Sequence, residues 1–352
     1  MKIAFFEIKD WEKEYLKSRF TQNELMFFPG KIDEDNLLED TEFEIISTFT
    51  DSIIEETVTS ALPKLKFIAT RTTGFDHINL EETAKRNILV SNVPAYGDNT
   101  VAEQSFALLL NISRKISKAN EQIKEVGSFD TSKLQGFDLM GKTIGIIGAG
   151  RIGQHAIKIA NGFGMKVIVC DAVAKPELAQ ELNFTYVSFE DLLQQSDIIS
   201  IHVPYLPSTH HLINKGNLKL IKKGCILINT ARGAVVETEA LIQGLSEGIF
   251  GGAGLDVLEE EGNLKNEVDF LLNDHPDKDS LKTMLQEHIL MEMENVIITP
   301  HNAYNTKEAV QRILDTTAEN IEKFIEGHPQ NVVNFKPEEN IKQDVNHAGK
   351  SL

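Results

Sequence analysis

Cysteine is nearly absent from this chain of 352 residues: only Cys170 and Cys225 are present, each among apolar neighbours and neither in a C-x-x-C pair. A disulfide framework and a cysteine-built zinc site are therefore excluded as organising features, and a reducing cytoplasm fits best. The ten histidines offer no H-x-x-x-H or H-E-x-x-H pair, so no helical metal site is expected and the metal assignment is none. Positive charge is also short. Thirty-five Lys and Arg stand against 53 Asp and Glu, a formal charge of -18, which argues against a nucleic-acid backbone or an anionic membrane as the main partner. No apolar run approaches the roughly 20 residues needed to cross a bilayer, and Met1–Asp10 meets charge too early for a signal peptide. No fixed-period repeat is visible, which sets aside solenoids and propellers.

What is present is an ordinary globular composition, 41% hydrophobic and 25% charged, on a chain long enough for two domains. From residue 1 to about 98, short apolar runs alternate with polar helical stretches: Ile3–Phe6, Leu25–Phe28, Phe43–Ser47, Phe67–Ala69 and Ile88–Ser91. That rhythm predicts a small α/β domain with a parallel sheet. Thr100-Val-Ala-Glu103 has capping-box form and predicts a helix start. The helix body, Phe106–Leu110 with Ile112 and Ile116, is apolar on too many sides for a surface helix, which points to burial between domains or, preferably, between subunits. A second rhythm places strands at 143–147, 166–170, 197–201 and 225–229 and ends at Val296–Thr299. Gly327-His-Pro329 should stop a helix over 307–326, and the polar stretch from Lys336 to Leu352 reads as a frayed tail.

Gly148-Ala-Gly150-Arg151-Ile152-Gly153 matches G-x-G-x-x-G. The pattern is weak alone, but here a strand leads in, a helical segment leads out, and a second strand ends in Asp171, 18 residues past Gly153. This is the order of a Rossmann unit: glycines let backbone approach a pyrophosphate, the helix N-terminus offers unpaired N–H groups, and the carboxylate accepts from the adenosine ribose hydroxyls. Asp171 would repel the 2′-phosphate of NADP, and Ala172-Val173-Ala174 supplies no arginine to receive it, so NAD is the expected cofactor.

Further segments accompany the turn: Thr70-Arg-Thr-Thr73-Gly74-Phe75-Asp76, Asn92-Val-Pro-Ala-Tyr96, His202-Val203-Pro204, Ile228-Asn-Thr230-Ala231-Arg232-Gly233, Gly254-Leu-Asp256-Val-Leu-Glu-Glu-Glu261 and Ile298-Thr-Pro-His301-Asn-Ala-Tyr304. Together, from about residue 65 to 335, they resemble the NAD-dependent D-2-hydroxyacid dehydrogenases. The resemblance implies two Rossmann-like α/β domains with parallel sheets, a cofactor domain (99–299) inserted into a discontinuous substrate domain (1–98 and 300–336), and a polar tail (337–352). It implies an active site in the cleft between domains.

Residue by residue, the resemblance implies that His301 donates the proton during reduction, that Glu261 holds the other ring nitrogen and favours the protonated ring, and that Arg232 grips carboxylate and carbonyl oxygens. Imidazole suits the task because it titrates near neutrality, and a planar guanidinium can engage two oxygens at once. Backbone N–H groups around Thr73, Gly74 and Phe75 are a second grip on the substrate carboxylate, with Tyr96 and Tyr304 near the substrate. Gly148, Gly150, Arg151, Ile152, Gly153, Asp171, His202, Val203, Pro204, Thr230, Ala231 and Asp256 are the implied cofactor contacts. His210, His211, His275, His288 and His328 read as surface or loop residues.

Between Glu261 and His301 lie 39 residues, with an amphipathic stretch containing Phe270, Leu271, Leu272, Leu281, Met284 and Leu285. This long connection resembles the D-lactate dehydrogenase-like branch, which implies reduction of pyruvate to D-lactate in a homodimer, with bulkier acids such as 2-oxoisocaproate or phenylpyruvate as alternatives. Phe49 is a candidate wall of the side-chain pocket, since it follows a substrate-domain strand. A rival of another class is an NAD-binding transcriptional corepressor of the C-terminal binding protein type.

Overall fold

A computed structural model describes residues 1–265 and 278–334. The stretch containing Phe270, Leu271, Leu272 and His275 and the polar tail fall outside these residues. The chain divides into two compact units, one formed by Met1–Tyr96 with the chain from Thr306 onward, the other by Gly97–Asn305.

In the first unit, β1 (Lys2–Phe5), β2 (Glu24–Phe27), β3 (Ile45–Thr48), β4 (Phe67–Thr70) and β5 (Leu89–Ser91) form a sheet in the order β2-β1-β3-β4-β5. Every pairing is parallel. Alternation along the strands makes two cores. Ile3, Phe5, Ile45 and Phe67 turn to one face and pack with Leu16, Ala318 and Ile321, while Ala4, Phe6, Ile46 and Ile68 turn to the other and pack with Ile54 and Val58. The late helix Lys307–Ile325 thus completes a core begun at residue 3, and Phe324 stacks on Phe67 at 4.4 Å. Thr306 caps that helix by accepting from the Ala309 N–H at 3.2 Å.

The second unit holds β6 (Thr143–Ile147), β7 (Lys166–Cys170), β8 (Thr185–Tyr186), β9 (Ile198–Ile201), β10 (Cys225–Asn229), β11 (Phe250–Leu255) and β12 (Val296–Ile298) in the order β12-β11-β10-β9-β6-β7-β8. These strands are also parallel, with crossover helices on both faces. On one face Ile144, Ile146, Ile198 and Ile226 pack with the helices Asp98–Arg114 and Arg151–Gly162. On the other, Ile199, Ile201 and Leu227 pack with Leu192, Leu241 and Leu290. The α/β reading with two parallel sheets holds.

Two expectations about the helix at residue 100 are corrected. It starts at Asp98 with Gly97 as N-cap, because Glu103 accepts from the Asn99 side chain at 2.9 Å instead of reaching back to Thr100. Its apolar residues Ala102, Phe106, Leu108 and Leu109 are buried inside their own unit, against β6, β10 and the helix Arg151–Gly162. Close packing on the sheet, rather than a subunit contact, accounts for their character: a Cβ on Gly254 of β11 would lie 2.9 Å from Leu108 Cβ. Among the described residues no helix is long and apolar enough to cross a membrane. Cys170 and Cys225 are both free thiols, and burial pushes the Cys225 thiol well above its ordinary range.

Candidate active site

Register lines up the carboxyl ends of the second sheet. Ile147 pairs with Cys170 and Ile201, Asn229 with Ile201 and Leu255, and Leu255 with Ile298. The next residues along the chain are Gly148, Asp171, His202, Thr230, Asp256 and Thr299. Six separate motifs thereby converge on one rim, beside the point between β6 and β9 where the order of crossovers reverses, the usual ligand site of such sheets.

The glycine turn fits a dinucleotide. Gly148 has φ 95°, and a Cβ there would lie 2.7 Å from the His202 carbonyl oxygen. A Cβ on Gly153 would lie 2.0 Å from the Gly148 carbonyl oxygen, so helix and turn touch through backbone. Gly150 differs: nothing lies within 4 Å of its Cβ position, and as N-cap it leaves the helix Arg151–Gly162 without a side-chain cap. Open space in front of uncapped N–H groups suits a pyrophosphate. Asp171 sits beside the turn, its carboxylate accepting from the N–H groups of Ala149 (2.7 Å) and Val173 (2.9 Å). Those bonds leave lone pairs for ribose hydroxyls. His202 bonds Ser200 Oγ through Nε2 at 2.9 Å, and loss of hydration lowers its pKa to about 4, so its ring is neutral at pH 7. Arg151 pairs with Asp98 at 2.8 Å.

On the β10–β12 side, His301 Nδ1 lies 2.7 Å from Glu261 Oε1. The His301 backbone is left-handed, φ 48°, and its N–H donates to the carbonyls of Asp256 (2.8 Å) and Thr299 (2.9 Å). Asp256, 1% exposed, explains how a non-glycine residue is held there. Its carboxylate accepts from the Thr299 hydroxyl and from the N–H groups of Asn302 (2.9 Å) and Ala303 (2.8 Å). Burial raises the Asp256 pKa, an effect opposed by these donors. Arg232 follows β10, where the buried Asn229 side chain clamps the loop by donating to the Arg232 carbonyl (2.9 Å) and accepting from the Ala231 N–H (3.0 Å). Thr230 is fixed by a hydroxyl contact with Ser105 at 2.8 Å. Gly233 packs on backbone, since a Cβ would lie 2.0 Å from Leu258 C and O. The strand end that presents Arg232 is thus seated on the segment that presents Glu261.

In the first unit, Thr73, Gly74 and Phe75 form the turn after β4. Buried Arg71 anchors it to the ends of neighbouring strands, donating to the carbonyls of Phe6 (2.7 Å) and Glu7 (3.1 Å) and to Ser47 Oγ (3.2 Å). The Thr73 hydroxyl donates to the Val93 carbonyl at 2.8 Å, while the N–H groups of Thr73, Gly74 and Phe75 have no protein acceptor among the described residues. Phe49 lies at the same end of this sheet, its ring 5.6 Å from the Arg71 guanidinium. Tyr96 accepts from Arg312 Nε through its carbonyl at 2.6 Å and belongs to this unit; Tyr304 belongs to the other.

His211 lies in a turn, as expected of a loop residue, and there its Nε2 contacts Glu259 Oε1 at 2.5 Å, while Glu259 also accepts from the Thr238 hydroxyl at 2.7 Å. Ser105 and Glu287 likewise support the site without any motif to announce them, and Asn229 does so from within the Ile228–Gly233 segment. A polar residue at an otherwise apolar strand end or helix stripe is the signal that points to them. Among the described residues no cluster of three His, Cys, Asp or Glu could hold a metal.

Comparison with known proteins agrees with this geometry. Residues 106–303 match the model of the D-isomer specific 2-hydroxyacid dehydrogenase NAD-binding domain. A glyoxylate reductase of Thermococcus litoralis is 41% identical over 298 residues, 82% of this chain and 83% of that protein. Among solved structures, a D-lactate dehydrogenase from Aquifex aeolicus complexed with NAD and lactic acid superposes with a TM-score of 0.84 at 35% identity, covering 95% of this chain and 99% of that one. The pyruvate reductase of Chlamydomonas reinhardtii gives a TM-score of 0.81 at 31% identity, covering 94% and 97%. The chain belongs to the D-isomer specific 2-hydroxyacid dehydrogenase family, with NAD as its cofactor.

Proposed function

We propose that this protein reduces a small 2-oxo acid to the D-2-hydroxy acid, with pyruvate to D-lactate as the first substrate pair. The observation that carries the reading is the Glu261–His301 contact of 2.7 Å on the rim that also holds Arg232. Bound NADH supplies the hydride, which goes to the carbonyl carbon. Arg232 holds the substrate carboxylate and polarises the carbonyl. Because Nδ1 faces Glu261, Nε2 of His301 gives its proton to the carbonyl oxygen, and Glu261 stabilises the imidazolium beforehand. The N–H groups of Thr73, Gly74 and Phe75 are proposed to bind the carboxylate, and Tyr96, Tyr304 and Phe49 to bound the side chain. Asp171 selects NAD over NADP at the ribose.

Pyruvate is favoured by the 39-residue connection between Glu261 and His301 and by the D-lactate dehydrogenase and pyruvate reductase structures that cover nearly the whole chain. Glyoxylate is the second reading, favoured by the relative at 41% identity. NADH oxidation with glyoxylate, pyruvate, 2-oxoisocaproate and phenylpyruvate ranks them: pyruvate should show the highest kcat/KM, and a higher value for glyoxylate would select the second reading. No turnover with any acid would return the corepressor reading. His301→Ala should lose most of kcat while retaining NADH binding.

A second copy is the proposed partner. Val126, Phe129 and Met140 are 74%, 82% and 78% exposed in the segment after the helix Asp98–Arg114, an apolar surface suited to a homodimer. The free thiols support a cytoplasmic location.

A further inference from the structure

The segment that delivers Glu261 to His301 is anchored by a carboxyl group remote in sequence. Glu287 lies on the helix Lys278–Glu292 in a stripe with Met284 and Leu290, spaced for a core-facing side, and it is 0% exposed. A stripe of this kind calls for an apolar residue. Instead, Glu287 Oε1 accepts from the Glu260 backbone N–H at 2.9 Å. Oε2 is buried without a hydrogen-bond partner. Burial, together with the facing carboxylates Glu259 and Glu260, raises the pKa of Glu287 to about 7. A buried carboxyl with an unmet oxygen is costly to keep, so its bond to the Glu260 N–H must matter more than packing alone.

We propose that Glu287 is a positioning residue for proton transfer: it fixes the Glu260 backbone N–H so that the next residue, Glu261, meets Nδ1 of His301. Glu259 is fixed in parallel by His211 and Thr238, so Glu287 supplies the restraint on the residue adjoining Glu261. This inference rests on the reading of His301 as proton donor.

The test is steady-state reduction of pyruvate, or of glyoxylate if that is the better substrate, by the full-length enzyme across pH, with NADH affinity measured in parallel. Glu287→Asp withdraws the acceptor by one methylene. A displacement of about 1 Å can cost up to about a hundredfold, and a loss of about tenfold in kcat is expected here with NADH affinity unchanged. The high-pH limb should move to lower pH, since a loosened Glu261 stabilises the imidazolium less. Glu287→Gln keeps the carbonyl acceptor and should restore kcat to within about twofold. The proposal is overturned if Glu287→Asp keeps wild-type kcat and pH limb, or if its loss comes with weakened NADH binding and an unmoved limb. If Glu287→Asp does not fold, Glu287→Met, which keeps the volume and removes the acceptor, takes its place: a tenfold loss with a moved limb supports the proposal and wild-type behaviour overturns it. His301→Ala separates the two readings: if it remains active both fall, whereas if it is inactive while the Glu287 variants behave as wild type only this one falls.

Discussion

Glu261 lies 40 positions before His301, yet their side chains meet at 2.7 Å. A hydrogen bond to a charged group contributes about 1.5–3 kcal/mol, and here it acts on the protonated ring that reduction requires. Glu261→Gln removes the anion but keeps the shape, and the high-pH limb of pyruvate reduction should shift down. An unchanged limb would take Glu261 out of the proton path. The proposed catalytic set comes from the family resemblance, which rests on motifs whose order is informative: Arg232 before Gly233, Glu261 five residues after Asp256, His301 after Pro300. Their supports were not legible in the sequence. Ser105, His211 and Glu287 act through bonds to residues chosen by the fold, and a Glu on a helix looks solvated until the neighbours that bury it are known. Buried Glu287 also leaves a thermodynamic trace. Its folded pKa of about 7 lies above the ordinary 4.5, so the folded state holds the proton more tightly. The stabilisation this gives is present below pH 4.5 and is lost as pH rises through 7. The Tm of wild type minus that of Glu287→Gln should therefore fall between pH 4.5 and 7, and parallel profiles would contradict the assignment.

Strands and turns were read well where apolar periodicity governed them and poorly where glycine did. β11 has the sequence Phe-Gly-Gly-Ala-Gly-Leu and does not look like a strand. It is one because its neighbours come too close for side chains: a Cβ on Gly252 would meet the Asn295 carbonyl oxygen at 2.8 Å, and one on Gly254 would meet Leu108 and Ile228 at 2.9 Å. Two glycines at the rim carry opposite predictions. At Gly233 the added methyl would overlap Leu258 backbone, and forced overpacking costs about 1–3 kcal/mol. Gly233→Ala should lower Tm by several degrees and, by displacing the Leu258–Glu261 segment, reduce kcat more than tenfold. Gly150 has φ −65° and open space around its Cβ position, so Gly150→Ala should leave Tm unchanged. The methyl would enter the space assigned to pyrophosphate, and NADH binding should weaken by about tenfold or more. Equal NADH affinity in calorimetry would move the cofactor off this turn.

The arithmetic of the whole molecule, 352 residues at a charge of -18, admitted two domains and disfavoured polyanions without locating either a boundary or a site. The family resemblance implied the interruption of one domain by another, which composition does not encode. An anionic substrate and cofactor would require local positive potential on an acidic protein, and on the second unit the proposed sources are Arg232 and the N–H groups after Gly150. That unit has its own seven-stranded sheet and a core on each face, and the first unit needs the helix Lys307–Ile325 to close its core. The connectivity makes a sharp prediction. A segment of 97–305 expressed alone should fold cooperatively and bind NADH, because the glycine turn, Asp171 and the strand ends all lie within it. It should not reduce pyruvate, because the proposed carboxylate grip at Thr73, Gly74 and Phe75 is missing. A chain cut after residue 176 should give two insoluble halves, since the cut divides the seven-stranded sheet and separates β1 from the helix that covers it. Fluorescence titration with NADH and a thermal melt of the excised segment decide the matter: a segment that melts without a transition would show that the second unit depends on the first, and one that reduces pyruvate would remove the Thr73–Phe75 turn from substrate binding.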